Sequence, residues 1–194
     1  IDIEGGDQPI HNEARTVWTV FNGEIFNYVE LRRELEQRGH RFYTHTDTEV
    51  IVHLYEEYGD DFAIHMNGQF AIALWDRPRR RLLLVRDRPG ILPLYFSHQG
   101  QRLLFASEVK ALLPAMSTRP QLNPAALDQL MTFWAPVSPA SLFKGVEEVS
   151  PGEMVIIESG QLRRRRYWEW TFPADGDYLR GSVDDLTEEL HSLL

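Results

Sequence analysis

The sequence predicts an α+β fold, a four-layer αββα sandwich of two antiparallel sheets enclosed by helices. Short apolar runs at residues 70–75, 82–85, 94–97, 103–106 and 154–157 have the length and composition of strands. Turns follow closely: Asp76-Arg77-Pro78-Arg79-Arg80 after the first run, a stretch around Gly100, and Ser159-Gly160 after the last. Connections this short make hairpins, which are antiparallel. Yet the runs are apolar on both faces, with Phe70, Ile72 and Leu74 on one side and Ala71, Ala73 and Trp75 on the other. A sheet with one wet face alternates instead. Each sheet therefore needs two covers, and helical segments on either side of the strand region can supply the outer ones. Four layers exceed the usual two or three.

The elements follow in order. The chain does not begin with Met, and Ile1-Asp2-Ile3 reads as the continuation of an earlier segment. Gly5-Gly6-Asp7-Gln8-Pro9 is turn-rich. Residues 17–21 form a strand that Asn22-Gly23 is expected to break. A helix follows, with Asn27 as N-cap, Glu30 as its capping-box partner, Leu31 and Leu35 on one face, and Gly39 as the stop. Residues 41–44 read as a short strand. Thr46 or Asp47 then caps a helix whose Ile51, Leu54, Tyr55 and Tyr58 fall at helical spacing, ended by Gly59. A short helix through Phe62 and Met66 stops at Asn67-Gly68. Residues 108–113 and 124–131 are the later helices. After Trp170 the chain becomes rich in Pro, Gly and Asp over residues 171–181, the signature of a linker. Ser182 then caps an amphipathic segment carrying Leu186, Leu190 and Leu193 on one stripe.

The chain has 194 residues, which implies one domain and part of another. The boundary is expected at residues 170/171, with 171–194 as a linker and the first helix of a second domain. Net charge is −9, which argues against a nucleic-acid partner. No apolar run approaches the roughly 20 residues that span a bilayer, and no signal-peptide pattern is present. The expected location is the cytoplasm. Only Lys110 and Lys144 are lysines among the 20 basic residues, a coding bias rather than a site. No cysteine occurs, which excludes disulfides, thiolate metal sites and a cysteine nucleophile within these residues.

Few segments carry chemistry. In Phe21-Asn22-Gly23-Glu24, an Asn amide and a Gly N–H can converge as neutral donors on one point, the requirement of an oxyanion hole. Taken alone, a hairpin turn is the favoured reading of the same letters. In His45-Thr46-Asp47-Thr48-Glu49, Asp47 can receive an ammonium group at a loop–helix junction, or merely help start a helix. Asp47, Glu49 and His53 offer metal ligands, but no further His or carboxylate cluster in the sequence supports them, and no metal is expected. In Arg86-Asp87-Arg88-Pro89-Gly90, a structural ion pair is favoured over a substrate contact. Four arginines at residues 163–166 lie in a strand and alternate faces, so a solvated strand pair or a subunit contact is favoured over nucleic acid.

Taken together, these segments resemble the glutaminase domain of glutamine-hydrolysing asparagine synthetases. The resemblance rests on Gly5-Gly6-Asp7-Gln8-Pro9, Phe21-Asn22-Gly23-Glu24-Ile25-Phe26-Asn27-Tyr28, Thr46-Asp47-Thr48-Glu49 and Asn67-Gly68-Gln69-Phe70-Ala71. Arg86-Asp87-Arg88-Pro89-Gly90-Ile91, Phe105-Ala106-Ser107-Glu108-Val109-Lys110 and Pro151-Gly152-Glu153 complete the ordered set. It implies the N-terminal-nucleophile (Ntn) hydrolase fold of class II amidotransferases, in agreement with the layers deduced above. It further implies hydrolysis of glutamine to glutamate and ammonia, with the ammonia passed to an aspartyl-adenylate in a C-terminal synthetase domain of the same protein. Asn22 and Gly23 would form the oxyanion hole, and Asn22, Gly23, Glu24 and Asp47 would bind the glutamine. ATP and Mg belong to the synthetase domain, and this chain needs no cofactor of its own.

The family's nucleophile is an N-terminal cysteine whose α-amino group serves as base. That residue, the arginine for the substrate carboxylate and some strands of the sandwich would precede Ile1, so the chain alone is expected to be inactive. Leu92 stands where the family often has Lys. A homodimer is left open. The competing expectations are a non-catalytic scaffold of the β-lactam synthetase type, which would have no need of the Asn22–Asp47 constellation, and another class II amidotransferase.

Overall fold

The computed structural model describes residues 5–100 and 102–193. Its strands are β1 (Ile10–His11), β2 (Val17–Ile25), β3 (Gly68–Asp76), β4 (Arg81–Arg86), β5 (Tyr95–Gln99), β6 (Arg102–Ala106), β7 (Glu147–Glu148), β8 (Glu153–Glu158) and β9 (Gln161–Arg166). Its helices are α1 (Tyr28–Gln37), α2 (Glu49–Tyr58), α3 (Val109–Leu112), α4 (Pro124–Phe133) and α5 (Val183–Leu193), and a 3-10 segment (Gly59–His65) follows α2. A six-stranded sheet runs in the order β1-β2-β3-β4-β8-β9, and a three-stranded sheet in the order β6-β5-β7. Every pairing is antiparallel.

The two apolar faces of the large sheet separate as the sequence requires. Ile72, Leu74, Leu83, Val85, Met154 and Ile156 pack with Leu31 and Leu35 of α1 and with Ile51, Leu54 and Tyr55 of α2. Ala71, Ala73, Leu84 and Val155 form a second core with Leu94 and Phe96 of the small sheet and with Val149. On β3, Ala71 and Ala73 face the other sheet, with Trp75 at the partly exposed end of the same face, and Ile72 and Leu74 face the helices. The outer layer over the small sheet is thinner than expected: α3 is a single turn, and Ala126 is the buried residue of α4. The small sheet is also narrower than the large one. Val20, Trp75 and Phe105 therefore keep about a third of their surface exposed.

Four local expectations need correction. Asn22-Gly23 does not break a strand, because β2 continues to Ile25 and stays paired with β3, Gly23 opposite Phe70. Residues 41–44 are not a strand, because the Glu49 carboxylate takes their amides: Tyr43 N–H at 2.9 Å and Thr44 N–H at 2.7 Å. Asn27 occupies the N-cap of α1 without a capping box. Its side chain instead donates to His65 O and accepts Asn67 N–H, tying the helix start to the 3-10 segment. The N-cap of α2 is Thr48, one residue past Asp47. At the far end, Ser182 and Asp185 cap α5 reciprocally, the Ser182 Oγ accepting Asp185 N–H at 3.1 Å. No residue of α5 is buried, and its apolar stripe carries exposed Leu190 and Leu193.

Arg81 is wholly buried on β4 and fastens the 3-10 segment to the sheet. Its guanidinium holds both Asp60 oxygens, at 2.6 and 2.7 Å. Arg163 adds a third bond to Asp60 at 2.9 Å. Burial pushes the Asp60 carboxyl up, but the bonds from Arg81 and Arg163 outweigh it and hold the group below its usual range. A carboxylate depressed in the folded state stabilises at neutral pH, and that contribution is lost as pH falls through the folded value. Asp60→Ala should cost about 3 kcal/mol, because it removes the two short bonds to buried Arg81 and leaves it only Glu158 and the Tyr55 hydroxyl, each at 3.5 Å. Urea unfolding at pH 7 and pH 3 checks this: the difference between wild type and Asp60→Ala should shrink at the lower pH.

Candidate active site

The C-terminal half of β2 carries the candidate residues. Asn22 is exposed on its strand and lines a cleft of about 170 Å³ between the sheets, together with Gln8, Ala71, Leu94, Phe105 and Ser107. The Gln8 carboxamide fixes the peptide just before it. Gln8 Nε2 donates to Phe21 O at 2.8 Å, and Phe21 N–H donates to Gln8 Oε1 at 2.6 Å. This side chain mimics a neighbouring strand.

Gly23 follows at φ +147, and a Cβ there would stand 2.1 Å from Gln69 O. Gly68, opposite Ile25, meets the reciprocal obstacle, since its Cβ would stand 2.2 Å from Glu24 O. Both residues must be glycine for β2 and β3 to approach this closely. Glu24 is exposed at the end of the strand.

Asp47 reaches the same place from the loop before α2. It is buried, and its Oδ2 accepts Ile25 N–H at 2.9 Å. That single bond sets the Asp47 carboxylate beside the main chain of Glu24-Ile25. The loop holding Asp47 is itself held. Glu49 binds two of its amides and the Thr44 hydroxyl at 2.6 Å, and Arg32 donates to Thr44 O at 2.7 Å. Burial pushes the Glu49 carboxyl up, and its neighbours His53, Thr44 and Tyr43 bring it below its usual value. The fold thus gathers all four sequence candidates, Asn22, Gly23, Glu24 and Asp47, at one end of β2.

Arg86 and Asp87 are structural, though not as a mutual ion pair. The Asp87 carboxylate accepts Phe70, Gly90, Ile91 and Leu92 N–H groups at 2.7–3.2 Å. Arg86 donates to the Leu92, Val149 and Gly90 carbonyls and pairs with Glu148 at 2.9 Å. The arginines of β9 alternate as expected, and each meets an acid: Arg163 on Asp60, Arg164 on Glu147 and Glu153, Arg165 on Asp61, Arg166 on Glu169. Residue-level reading missed Gln8 and Ser107 as site-lining groups. Gln8 sits in a turn-rich stretch where nothing local reveals that its amide will stand in for a strand.

Two face-to-face antiparallel sheets between helices, with the Asn22-Gly23 pair on an inner strand beside the inter-sheet cleft, are the αββα arrangement expected of a class II amidotransferase domain. Solved structures agree on the fold. Glutamine phosphoribosylpyrophosphate amidotransferase from B. subtilis, complexed with ADP and GMP, superposes with a TM-score of 0.58 at 23% identity, over 83% of this chain and 32% of that one. An allosteric regulatory enzyme of purine biosynthesis gives 0.59 at 22% identity, over 84% and 32%. The glutamine amidotransferase domain pattern matches residues 1–168, and the chain belongs to that family.

Its relatives include "Asparagine synthetase [glutamine-hydrolyzing] 3" of Bacillus subtilis (strain 168), 34% identical over all of this chain and 31% of the relative. "Asparagine synthetase [glutamine-hydrolyzing] 1" of the same organism is 38% identical over 89% of this chain and 27% of its own length. "Amidase chry2" of Gibberella zeae is 33% identical over the whole chain and 28% of the relative. The chain thus spans less than a third of the length of these relatives.

The close approach at Gly23 makes a prediction. Gly23→Ala should destabilise the fold by about 1–3 kcal/mol or more, from backbone strain and overlap with Gln69 O. Gly100→Ala is the control, because its added Cβ meets nothing within 4 Å. Denaturant midpoints for the two variants should differ, with Gly23→Ala the lower. Equal losses would mean that the contact with Gln69 is not what requires glycine.

Proposed function

We propose that this chain is the glutamine-hydrolysing part of a glutamine- and ATP-dependent asparagine synthetase. The observation that carries the proposal is the convergence of Asn22, Gly23, Glu24 and Asp47 at the end of β2, in a chain whose relatives bear that name. In this reading the glutamine side-chain amide lies at the cleft mouth. The Asn22 side-chain N–H and the Gly23 backbone N–H donate to its carbonyl oxygen as negative charge develops there. Glu24 and Asp47 hold the α-ammonium, so the reacting end and the anchored end of the substrate are positioned by one strand.

The nucleophile is not among these residues, because the chain contains no cysteine. Ammonia then passes to a synthetase domain of the same protein, where ATP with Mg activates aspartate. Residues 171–194 form the connection to that domain, and the exposed leucine stripe of α5 packs against it. A cytoplasmic setting is part of the same proposal. Among the described residues, no helix is long and apolar enough to cross a membrane.

The test uses the complete protein with glutamine and, separately, ammonium salt as nitrogen donor. Asn22→Ala should lower glutamine-dependent kcat about 10²–10³-fold and leave ammonium-dependent synthesis intact. Equal loss with both donors would refute the assigned role. Asp47→Asn keeps an acceptor for Ile25 N–H but removes the charge, so KM for glutamine should rise roughly tenfold or more for the loss of a charged contact while kcat changes little. The 194-residue chain alone should release no ammonia from glutamine above a heat-killed control. The match of the whole chain to 28% of an amidase favours, as a second reading, the same hydrolytic part serving another acceptor. Aspartate-dependent pyrophosphate release by the complete protein separates the two.

A further inference from the structure

On the helical side of the large sheet, away from the cleft, four side chains from three separate segments converge. Glu13 comes from the β1–β2 connection, His40 from the loop after α1, and His53 and Glu56 from α2. One ligand-type atom from each lies within 4.8 Å of all the others. We propose that Glu13, His40, His53 and Glu56 form a divalent-metal site of the His2Glu2 type, suited to zinc.

The four histidine–carboxylate distances are close to those around a tetrahedral ion, with Glu13 offering Oε1 toward His40 and Oε2 toward His53. His40 Nδ1 stands 3.5 Å from Glu13 and 3.8 Å from Glu56, and His53 Nδ1 stands 3.5 Å from Glu13 and 3.3 Å from Glu56. Tetrahedral zinc with bonds of about 2.0–2.1 Å separates its ligand atoms by roughly 3.3–3.4 Å. The donors are imidazole nitrogen and carboxylate oxygen, a set that takes zinc and its first-row neighbours rather than magnesium or calcium.

Both rings are also oriented as metal-bound histidines are. Ligating imidazoles direct their second ring nitrogen at a carboxylate, which fixes the tautomer. His40 Nε2 lies 3.2 Å from Glu57 Oε1, and His53 Nε2 lies 3.6 Å from Glu49 Oε1. The His53 ring is fully buried, and its Nε2 has no hydrogen-bond partner within reach. An ion drawing Nδ1 inward would settle the proton on Nε2, facing Glu49. The carboxylates are held in turn. Asn12 Nδ2 donates to Glu56 Oε1 at 2.6 Å, Arg41 N–H donates to Glu13 Oε1 at 2.8 Å, and Arg38 bonds Glu57 at 3.0 Å.

Charge favours a cation as well. Four carboxylates, those of Glu13, Glu49, Glu56 and Glu57, surround two imidazoles. Two neutral imidazoles and two carboxylates neutralise one divalent ion; Arg38 already balances Glu57. Glu13 and Glu56 are partly exposed, so an ion can reach the site from solvent. The site would cross-link residues 13, 40 and 53–56, and through Glu49 it would stiffen the loop that presents Asp47.

The test is made on the complete protein, stripped with a chelator and refilled with Zn2+ or Co2+. Wild type should gain on the order of 5 °C in Tm with saturating Zn2+ and show the visible absorption of tetrahedral Co2+. Glu13→Gln, at an exposed position, and His40→Asn, at a half-buried one, should each lower affinity by at least about 10–100-fold and abolish that absorption. His98→Asn, an exposed histidine elsewhere, should change neither. The proposal is overturned if Zn2+ leaves the wild-type Tm unchanged, or if Glu13→Gln and His40→Asn bind Co2+ as wild type does. Either result would mean that the cluster is a proton-held ion network.

Discussion

The Arg86-Asp87 dipeptide at the end of β4 joins the two sheets, and most of the loop structure around the cleft hangs from it. Consecutive strand residues point to opposite sides, so one dipeptide can serve two kinds of backbone group. Asp87 accepts the amides of residues 90–92, and Arg86 donates to the carbonyls of Gly90 and Leu92. A chain crossing between sheets would otherwise bury these groups unpaired, at roughly 1–3 kcal/mol each. Gly90 is required by the same turn: φ is +75, and a Cβ would stand 2.6 Å from the Pro151 ring. Leu92 also becomes intelligible. Its peptide groups belong to Arg86 and Asp87, and its side chain packs on the inter-sheet core, where an apolar residue suffices.

The node reaches the candidate site through β3. Asp87 exchanges bonds with Phe70, accepting its N–H with the carboxylate and donating its own N–H to Phe70 O at 2.9 Å. Phe70 is the register partner of Gly23. The strand that would position the oxyanion donors is therefore clamped from one side by Asp87 through β3, and from the other by Gln8. Tyr167 closes the arrangement by donating to Arg86 O at 2.6 Å, and burial pushes its phenol up, so it remains a donor.

The sandwich was legible because its evidence is local: two-sided apolar runs separated by turns too short to cross over. Three of the failures share one cause, a group outside the segment that outbids its local signal. Asn-Gly signals a turn until Gln69 and Phe70 arrive close enough to keep it extended. Residues 41–44 have strand letters, but Glu49 takes the amides that a ladder would need. Asn27 has the cap position, yet spends its side chain across the fold on His65 and Asn67. The strands β1 and β7 are two residues long and leave no periodicity to read. The candidate residues themselves were legible through a resemblance rather than by spacing. The His–Glu cluster was not, because Glu13 and His40 lie in different loops and only α2 shows its half of the pattern.

Acidic residues do much of the internal work of this chain, which changes what its net charge of −9 means. Asp87, Glu49, Asp47 and Glu153 all accept backbone N–H groups in buried or half-buried positions. Each uses a charge where a neutral side chain would bond less strongly. Asp47 shows the consequence for function. One of its oxygens is bound to Ile25 N–H, so the charge proposed to meet the substrate ammonium is fixed to the strand that carries the proposed oxyanion donors. The two ends of the substrate are then spaced by the rise of β2, about 3.3 Å per residue, and not by a flexible side chain. A carboxylate held this way needs no reorganisation when substrate arrives, which is the condition under which fixed charges contribute most to positioning.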